Sequence, residues 1–333
     1  MREFTINSND SGQRLDKFVS KTVWGLPLSL MYKFIRKKRI KVNGRRAEEK
    51  MALKEGDVVE MYIPDEFFDN KPEKNTDELS RVKPKLDVVY EDENIIILNK
   101  APGVLSHTGD EGDRNEAGAE RETLLFHVKC YLFQKGEWDP DAENSFAPSL
   151  CNRIDRNTGG LVIAAKNAAS LREMNAVIKD RKITKKYLAA VHGRMKSSHE
   201  TLSAYLFKNS KTNTVRVTDE YVPGSKKIVT EYKVLSRNEE LDLTLCEITL
   251  HTGRTHQIRA HMAHIGAPLL GDGKYAENKR DRELGFKYQS LWSYKVAFHV
   301  EDGTLSYLDG KEFTAPSDSI RFLTLFPGEK IAK

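Results

Sequence analysis

Two stretches near the start of the chain carry hydrophobic residues at helical spacing, which predicts helices over residues 14–21 and 28–37. The alternating segment Ile40-Lys41-Val42 is followed by Asn43-Gly44, a strong signal for a hairpin turn. A further strand is predicted over residues 58–63. Together these elements indicate a small α/β module over residues 11–64. Residues 65–85 are polar and contain two prolines, which is typical of a linker.

The remainder of the pattern is rich in strands. Strands are predicted over residues 86–90, 95–99, 290–308 and through most of 185–250. Helices are predicted over 123–133, 168–180 and 255–265, and a polar, glycine-rich loop over 108–122. Many strands with few helices indicate an α+β domain over residues 86–320, built on a mixed, largely antiparallel sheet.

Charge is distributed unevenly along the chain. The 333 residues carry a net charge of +5, but residues 11–50 contain twelve Lys or Arg and three acidic residues. The first module is therefore strongly basic, which predicts a polyanionic partner, most simply a nucleic acid. A solvated basic face is the alternative. The residues predicted to bind RNA in this module are Lys33, Arg36, Lys37, Lys38, Arg39, Arg45 and Arg46.

Cysteine and histidine usage argues against a disulfide scaffold or a metal site. The three cysteines form no C-x-x-C pair, which fits a reducing, cytoplasmic setting. His261 and His264 are spaced like ligands but have no suitably placed acid, so no metal site is predicted. No apolar stretch approaches the ~20 residues of a membrane span, and no signal peptide is visible at the N-terminus.

One carboxylate stands out for its setting. Asp155 lies between Arg153 and Arg156, before a turn at residues 157–160 and an apolar strand at 161–165. A carboxylate beside cations stays ionised when partly desolvated, so Asp155 could act as a nucleophile or stabilise a sugar cation. The alternative is an ordinary turn residue that bonds its own backbone.

Two further segments carry polar residues of interest. Tyr187 follows two lysines near the start of a predicted strand, where its ring could stack on a base. In the segment 252–262, Thr255 is a candidate helix cap, and Arg259 borders an apolar stripe. The residues predicted to share one polar helix face are Arg254, Gln257 and His261.

These segments together resemble one family. The sequences at 152–165, 185–193 and 252–275, with the segment 90–103, resemble the ordered motifs of RluA-type pseudouridine synthases. The first module resembles the alpha-L RNA-binding domain. Asn152 and Gly159 depart from the residues that many members carry, histidine and serine. The resemblance covers nearly the whole chain and implies a pseudouridine synthase type of catalytic domain.

The resemblance implies a cytoplasmic, bacterial isomerase that converts uridine to pseudouridine in RNA, in large-subunit (23S) ribosomal RNA or alternatively in transfer RNA. It implies that Asp155 attacks or stabilises the ribose, that Arg259 pairs with it, and that Tyr187 lies against the flipped base. The protein is expected to need no cofactor and to be a monomer. The residues expected to contact RNA near the site are Arg153, Arg254, His256 and Gln257.

Two other classes of protein would share some of these features. A catalytically silent, ribosome-associated RNA-binding protein would explain the basic module but not the acid, tyrosine and arginine at matching positions. A glycoside hydrolase would need a second carboxylate on the other side of the scissile bond. No obvious second acid is visible in the sequence.

Overall fold

The computed structural model describes residues 1–69, 76–108, 123–209 and 214–328. The predicted loop over 108–122 lies outside this range apart from Thr108. The helices are α1 (Leu15–Thr22), α2 (Leu28–Arg36), α3 (Thr76–Arg81), α4 (Leu124–Gln134), α5 (Ala168–Lys179), α6 (Gln257–His264) and α7 (Lys279–Glu283). The strands are β1 (Arg2–Thr5), β2 (Ile40–Val42), β3 (Arg45–Arg46), β4 (Val58–Met61), β5 (Val88–Glu91), β6 (Ile95–Lys100), β7 (Ser149–Leu150), β8 (Gly159–Ala165), β9 (Ile183–His192), β10 (His199–Asn209), β11 (Thr214–Thr218), β12 (Lys226–Asn238), β13 (Leu243–Leu250), β14 (Leu291–Phe298) and β15 (Glu312–Thr314).

The chain forms two compact units, each assembled from separated segments. The first comprises Met1–Pro84, Val128–Ser149 and Ala165–Arg172, and the second comprises Lys85–His127, Leu150–Ala164 and Glu173–Lys333. The first unit thus includes more of the chain than the N-terminal module. The boundaries 11–64, 65–85 and 86–320 remain predictions about domains.

The first unit contains a four-stranded sheet in the order β1-β4-β2-β3. The predicted helices and the hairpin are confirmed. Asn43 and Gly44 both have positive φ, 51° and 71°, as a tight hairpin turn requires. Strand β1 pairs antiparallel with β4, so the sheet begins well before residue 11. Hydrophobic residues of α1, α2 and the sheet share one core, including Phe18, Ile35 and Val59.

A buried carboxylate ties the N-terminal module to a later segment of the same unit. Asp10 is fully buried, and its two oxygens accept hydrogen bonds from Asn144 Nδ2 at 2.7 Å and from Ser145 Oγ at 2.5 Å. Gln13 Nε2 also donates to Asp10, at 3.1 Å. Within the predicted linker, α3 is held by Gln134, whose amide donates to the carbonyl of Leu79 at 2.8 Å.

The second unit is organised around a large sheet in the order β11-β10-β12-β13-β9-β14-β8-β6-β5. Strand β15 pairs with β14, and β7 with β8. Strands β9 to β14 pair antiparallel with their neighbours, whereas β14 and β8 run parallel. The predicted α+β class with a mixed, largely antiparallel sheet is therefore confirmed.

One face of this sheet receives α6. Ala260 of α6 packs against Ala204, Leu206, Val217 and Ile228 of the outer strands. The pairing register places Tyr187 opposite Ile248, and Ile248 opposite Tyr232, so these side chains share a face. Ile228 and Thr230 share that face, because they precede Tyr232 in β12 by four and two residues. Thr230 is hydrogen-bonded to His261 of α6. The candidate residues Tyr187 and Arg259 thus lie on the same side of the sheet.

Two local expectations are wrong. Thr255 does not cap α6, because the helix starts at Gln257 after His256, which has left-handed backbone angles (φ 52°) and makes no side-chain cap. Strand structure does not continue to residue 308. Strand β14 ends at Phe298, a turn with Gly303 at φ 94° follows, and Ser306–Leu308 forms a 3₁₀ turn.

Gly159 and Gly160 allow β8 to lie close against β14. A Cβ atom at Gly159 would stand 2.4 Å from ring atoms of Trp292, and one at Gly160 would stand 2.2 Å from the carbonyl oxygen of Ser293. Gly160 also has a φ of 114°. The glycine at position 159 therefore accompanies the large ring of Trp292, whose Nε1 donates to Asn99 at 3.2 Å.

We expect Gly159→Ala to lower the free energy of unfolding by about 1–3 kcal/mol, the usual cost of overpacking. In the Trp292→Leu background, where the ring is truncated, Gly159→Ala should cost less free energy of unfolding than it does in the wild type. Gly253→Ala is the matched control, since nothing lies within 4 Å of its added methyl. Urea denaturation measures all four variants, and strictly additive losses would contradict the proposed contact.

Candidate active site

The segment that carries Asp155 is fastened to β8 by backbone and side-chain hydrogen bonds. Asn152 is buried, and its Oδ1 accepts a hydrogen bond from the backbone N–H of Ile163 at 2.7 Å. Cys151 N–H donates to the carbonyl of Ile163, also at 2.7 Å. Ser106 Oγ donates to the carbonyl of Ile154 at 3.0 Å. Asn152 therefore has a structural role in this chain, because its amide completes the strand edge just ahead of Asp155.

The Lys-Ala-Pro-Gly segment supports the same loop from the other side. Lys100 is 1% exposed, and its ammonium donates to the carbonyls of Ala101, Val104 and Arg156 at 3.1, 2.8 and 2.8 Å. Gly103 N–H also donates to the Arg156 carbonyl, at 2.9 Å. A buried ammonium requires such partners, and here they fix the residue that follows Asp155. The sequence predicted a hairpin here but no role for Lys100.

The structure brings Asp155 and Arg259 together and adds a second carboxylate. Arg259 Nη1 donates to Asp155 Oδ2 at 3.3 Å. Its Nε and Nη2 donate to the two oxygens of Asp272 at 2.7 and 2.8 Å, a bidentate pair. The side chains of Arg259 and Asp272 are 8% and 1% exposed, whereas that of Asp155 is 24% exposed. Asp272 thus orients the guanidinium, and Asp155 is the carboxylate with access to solvent.

The electrostatics follow from this arrangement. Burial acts to lower the pKa of Arg259, but the carboxylates of Asp272 and Asp155 outweigh it and raise that pKa above its ordinary value. The guanidinium therefore stays positively charged and attracts the carboxylate of Asp155 over a short distance. An arginine shared between two carboxylates presents less net positive charge to either one.

Tyr187 lies at this site as a buried phenol. It is 7% exposed. Burial, with a contribution from the charge of Asp155, raises the pKa of Tyr187 to about 12. The hydroxyl therefore remains protonated at neutral pH. Its ring can contact a base, but a neutral phenol is a poor acceptor for the C5 proton.

His256 and Tyr275 form a second connection to Asp155. His256 Nδ1 lies 2.7 Å from the Tyr275 hydroxyl, and Nε2 lies 3.9 Å from Asp155 Oδ2. Burial lowers the pKa of His256 to about 4, so the ring is neutral at pH 7. The Tyr275 ring also lies 5.2 Å from the Arg259 guanidinium.

The remaining RNA-contact candidates divide by exposure. Arg153 and Arg254 are exposed, and Arg153 Nη1 lies 3.0 Å from His107 Nε2. Gln257 is 2% exposed, and its amide bonds Thr252, Thr230 and backbone groups. The burial of Gln257 and of His256, which is 4% exposed, argues against a direct RNA contact by either. The prediction of a shared polar helix face is wrong, because Arg254 precedes α6 and both Gln257 and His261 are buried.

The predicted basic group of the first unit lies at the surface. All seven of its side chains are exposed, and they come from α2, the turn after it and β3: Lys33, Arg36, Lys37, Lys38, Arg39, Arg45 and Arg46. The guanidinium of Arg39 lies 5.4 Å from the ring of Phe34. This group, termed the basic surface below, is accessible to phosphates.

The described residues contain neither a metal-binding cluster nor a membrane-spanning helix. Within residues 1–69, 76–108, 123–209 and 214–328, no group of three or more His, Cys, Asp or Glu side chains is arranged to hold a metal ion. Among the helices that the structure describes, none is long and apolar enough to cross a membrane.

The sequence matches two family profiles. Residues 94–264 match the profile described as RNA pseudouridylate synthase, and residues 13–59 match the S4 domain. The chain belongs to the RNA pseudouridylate synthase family. It is thus an RNA pseudouridine synthase, an isomerase with an N-terminal RNA-binding domain.

Individual relatives cover most of the chain. An "Uncharacterized RNA pseudouridine synthase" of Mycoplasma capricolum is 34% identical over 93% of this chain and 96% of its own length. "Ribosomal large subunit pseudouridine synthase C" of Escherichia coli is 32% identical over 84% of this chain and 81% of its own. The solved structure of Human RNA Pseudouridylate Synthase Domain Containing 1 shares the fold, with a TM-score of 0.55, 22% identity and coverage of 75% of this chain and 91% of that one.

Sequence reasoning missed three residues that the site depends on. In the sequence, Asp272 and Tyr275 are only parts of the motif that follows α6, and Lys100 is only the residue after a predicted strand. The signal available for Asp272 was its place after Leu270-Gly271, where the chain turns back toward α6. No periodicity could show that it would pair with Arg259.

We expect Arg259→Lys to reduce turnover of this enzyme by about a hundredfold while RNA affinity changes little, because an ammonium cannot hold Asp272 bidentately and also reach Asp155. Asp272→Asn should lower both turnover and thermal stability, since it leaves the guanidinium without its buried charge partner. Single-turnover assays and thermal unfolding measure these effects. Asp318→Asn, an exposed site, is the control, and full turnover by Arg259→Lys would contradict the assignment.

Proposed function

We propose that this enzyme converts uridine to pseudouridine in large-subunit ribosomal RNA, with Asp155 as the reacting carboxylate. The supporting observation is a partly exposed carboxylate held by a guanidinium that is itself held by Asp272, beside the buried ring of Tyr187. The ribosomal RNA substrate rests on relatives of 30–32% identity named for the large ribosomal subunit.

The reaction needs one carboxylate that acts at the ribose. Asp155 attacks C1′ of the flipped uridine, or stabilises the sugar as it becomes cationic, while the N1–C1′ bond breaks and its electrons leave with the uracil. The freed base turns, and C5 bonds to C1′ as the carboxylate is released. C5 then loses its proton and N1 gains one, so atoms and electrons balance.

Tyr187 serves this reaction by its ring. In the proposal the ring lies against the uracil and keeps the detached base in place while it turns. Its raised pKa, about 12, makes it a donor or a contact surface and not a ready base. The released carboxylate of Asp155 is the stronger acceptor nearby, and we assign the C5 proton to it, directly or through water.

Substrate binding involves both units. A uridine in folded RNA must leave its stack, which costs a few kcal/mol. Phosphate contacts by the basic surface and by the exposed Arg153 and Arg254 offset that cost. Arg153 is also the candidate to fill the gap that the flipped nucleotide leaves.

Asp155→Asn is the direct test, because it keeps the side-chain volume and removes the charge. Pseudouridine should be absent from the target RNA, while RNA affinity should stay within about twofold of the wild type. Pseudouridine mapping on cellular RNA from strains with and without this gene identifies the target, and Asp318→Asn is the matched control. Turnover retained by Asp155→Asn would refute the catalytic assignment, and a gain of pseudouridine in transfer RNA alone would refute the ribosomal one.

The basic surface should determine affinity and its salt dependence. Replacement of Arg36, Lys37 and Arg39 by Ala should weaken RNA binding and reduce the slope of log affinity against log salt by about 0.7–0.9 per lost phosphate contact. The control is Lys50→Ala/Lys54→Ala, which removes exposed lysines of the same module outside the basic surface. Equal losses per removed charge in the two sets would indicate a general charge effect.

A further inference from the structure

The two carboxylate oxygens of Asp155 have different surroundings. Oδ2 accepts the hydrogen bond from Arg259 Nη1 and also lies 3.9 Å from His256 Nε2. In the part of the chain that the structure describes, Oδ1 has no hydrogen-bond partner within the protein. One oxygen is therefore anchored, and the other makes no hydrogen bond with the described residues.

The hydrogen bonds around Tyr275 determine which nitrogen of His256 carries the proton. Burial is the main reason that the pKa of Tyr275 is raised to about 12, so the phenol keeps its proton. A backbone hydrogen bond from Val215 acts to lower that pKa, which is the effect of an N–H that donates to the phenol oxygen. The phenol proton is then free to point at His256 Nδ1, 2.7 Å away. A neutral imidazole that accepts at Nδ1 carries its proton on Nε2.

We propose that His256 is a positioning residue: Tyr275 holds its ring with the Nε2–H toward Asp155 Oδ2, so that His256 and Arg259 together anchor this oxygen and leave Oδ1 to meet ribose C1′. This inference rests on the proposed role of Asp155. It gives His256 and Tyr275 a role in the reaction that differs from the direct RNA contact expected of His256.

The distance and the charges agree with this role. A separation of 3.9 Å is too long for a hydrogen bond, but a small rotation of the carboxylate would close it when substrate binds, as catalytic contacts often tighten in the complex. The charged groups around His256 are Asp155, Arg259, Lys274 and Asp272. A neutral donor can orient Asp155 without adding a second positive charge. Such a charge would reduce the nucleophilicity of the carboxylate.

The backbone at this position is also unusual. His256 has a φ of 52°, in the left-handed region that non-glycine residues seldom occupy, and it directly precedes α6. Strain of this kind persists where the surroundings hold it, and it concentrates at functional sites. Here it turns the imidazole back toward Asp155 and Tyr275, whereas a regular helical start would leave the cap to Thr255.

The test compares variants that remove the Tyr275 hydroxyl or the His256 N–H donor, singly and together. Tyr275→Phe removes only the hydroxyl and keeps the ring beside Arg259. We expect it to reduce the single-turnover rate constant about tenfold with unchanged RNA affinity, as for loss of one hydrogen bond in an ionic network. His256→Leu should lose at least as much. His256→Gln, whose amide can place an N–H where Nε2–H lies, should retain more activity than His256→Leu.

Two readouts distinguish positioning from a structural role. In the His256→Gln background, Tyr275→Phe should have no further effect on the rate constant, because the amide does not need the phenol to set its donor. The ratio of wild-type to Tyr275→Phe rates should fall as the pH is lowered toward about 4, the pKa of His256, since protonation of His256 restores an N–H on Nε2 in the variant. Tyr221→Phe, at an exposed tyrosine, is the control.

The outcomes separate clearly. Wild-type rates in Tyr275→Phe and His256→Leu would overturn the inference, as would a Tyr275→Phe loss that persists undiminished in His256→Gln and does not vary with pH. Thermal unfolding shows whether each variant is folded, and the comparison of His256→Gln with His256→Leu remains if Tyr275→Phe is unstable. The RNA is one that the wild-type enzyme modifies in the same assay. Absence of wild-type activity on every RNA would refute the proposed function, whereas wild-type activity with unaffected variants refutes only this inference.

Discussion

The site depends on one guanidinium shared between two carboxylates. Arg259 is almost fully buried, and Asp272 satisfies two of its donors in the interior, at 2.7 and 2.8 Å. A buried arginine without that partner would carry a large desolvation cost. Because Asp272 offsets that cost, the third donor, Nη1, can bind Asp155 at 3.3 Å. Asp155, the carboxylate proposed to react, is therefore anchored by a group that is itself held within the protein.

The rest of the second unit supports that interaction from several directions. The large sheet supplies Tyr187 on β9, and α6 places Arg259 on the same side of the sheet. The Asp155 loop is fastened behind its tip by Lys100 and by Asn152, both buried. Gly159 and Gly160 then let β8 lie against β14 at the point where the loop enters the sheet. Lys100, Asn152, Gly159 and Gly160 therefore restrain the loop from positions outside the Asp155–Arg259 pair.

In the proposed function, phosphate binding falls mainly to the first unit and the chemistry to the second. The exposed cations of the first unit offer many weak, salt-sensitive contacts with phosphate. The site offers few contacts, but they are buried and directional. This separation explains why the charge distribution along the sequence is enough to predict a nucleic-acid partner. The type of reaction is predicted only by the resemblance of a few short motifs to a family. The matches to an S4 domain and to a synthase profile follow the same division.

Local sequence determined the elements and the candidate residues. Helical spacing, the Asn43-Gly44 turn and alternating strands follow from short-range periodicity and backbone preference, and most were confirmed. The candidate site residues Asp155, Tyr187 and Arg259 are predicted from short motifs. Tertiary structure alone decided that Asp272 pairs with Arg259, that Lys100 secures the loop, and that His256 and Gln257 are buried. These outcomes depend on contacts between residues distant in sequence and on desolvation, and neither is encoded in the spacing of hydrophobic positions.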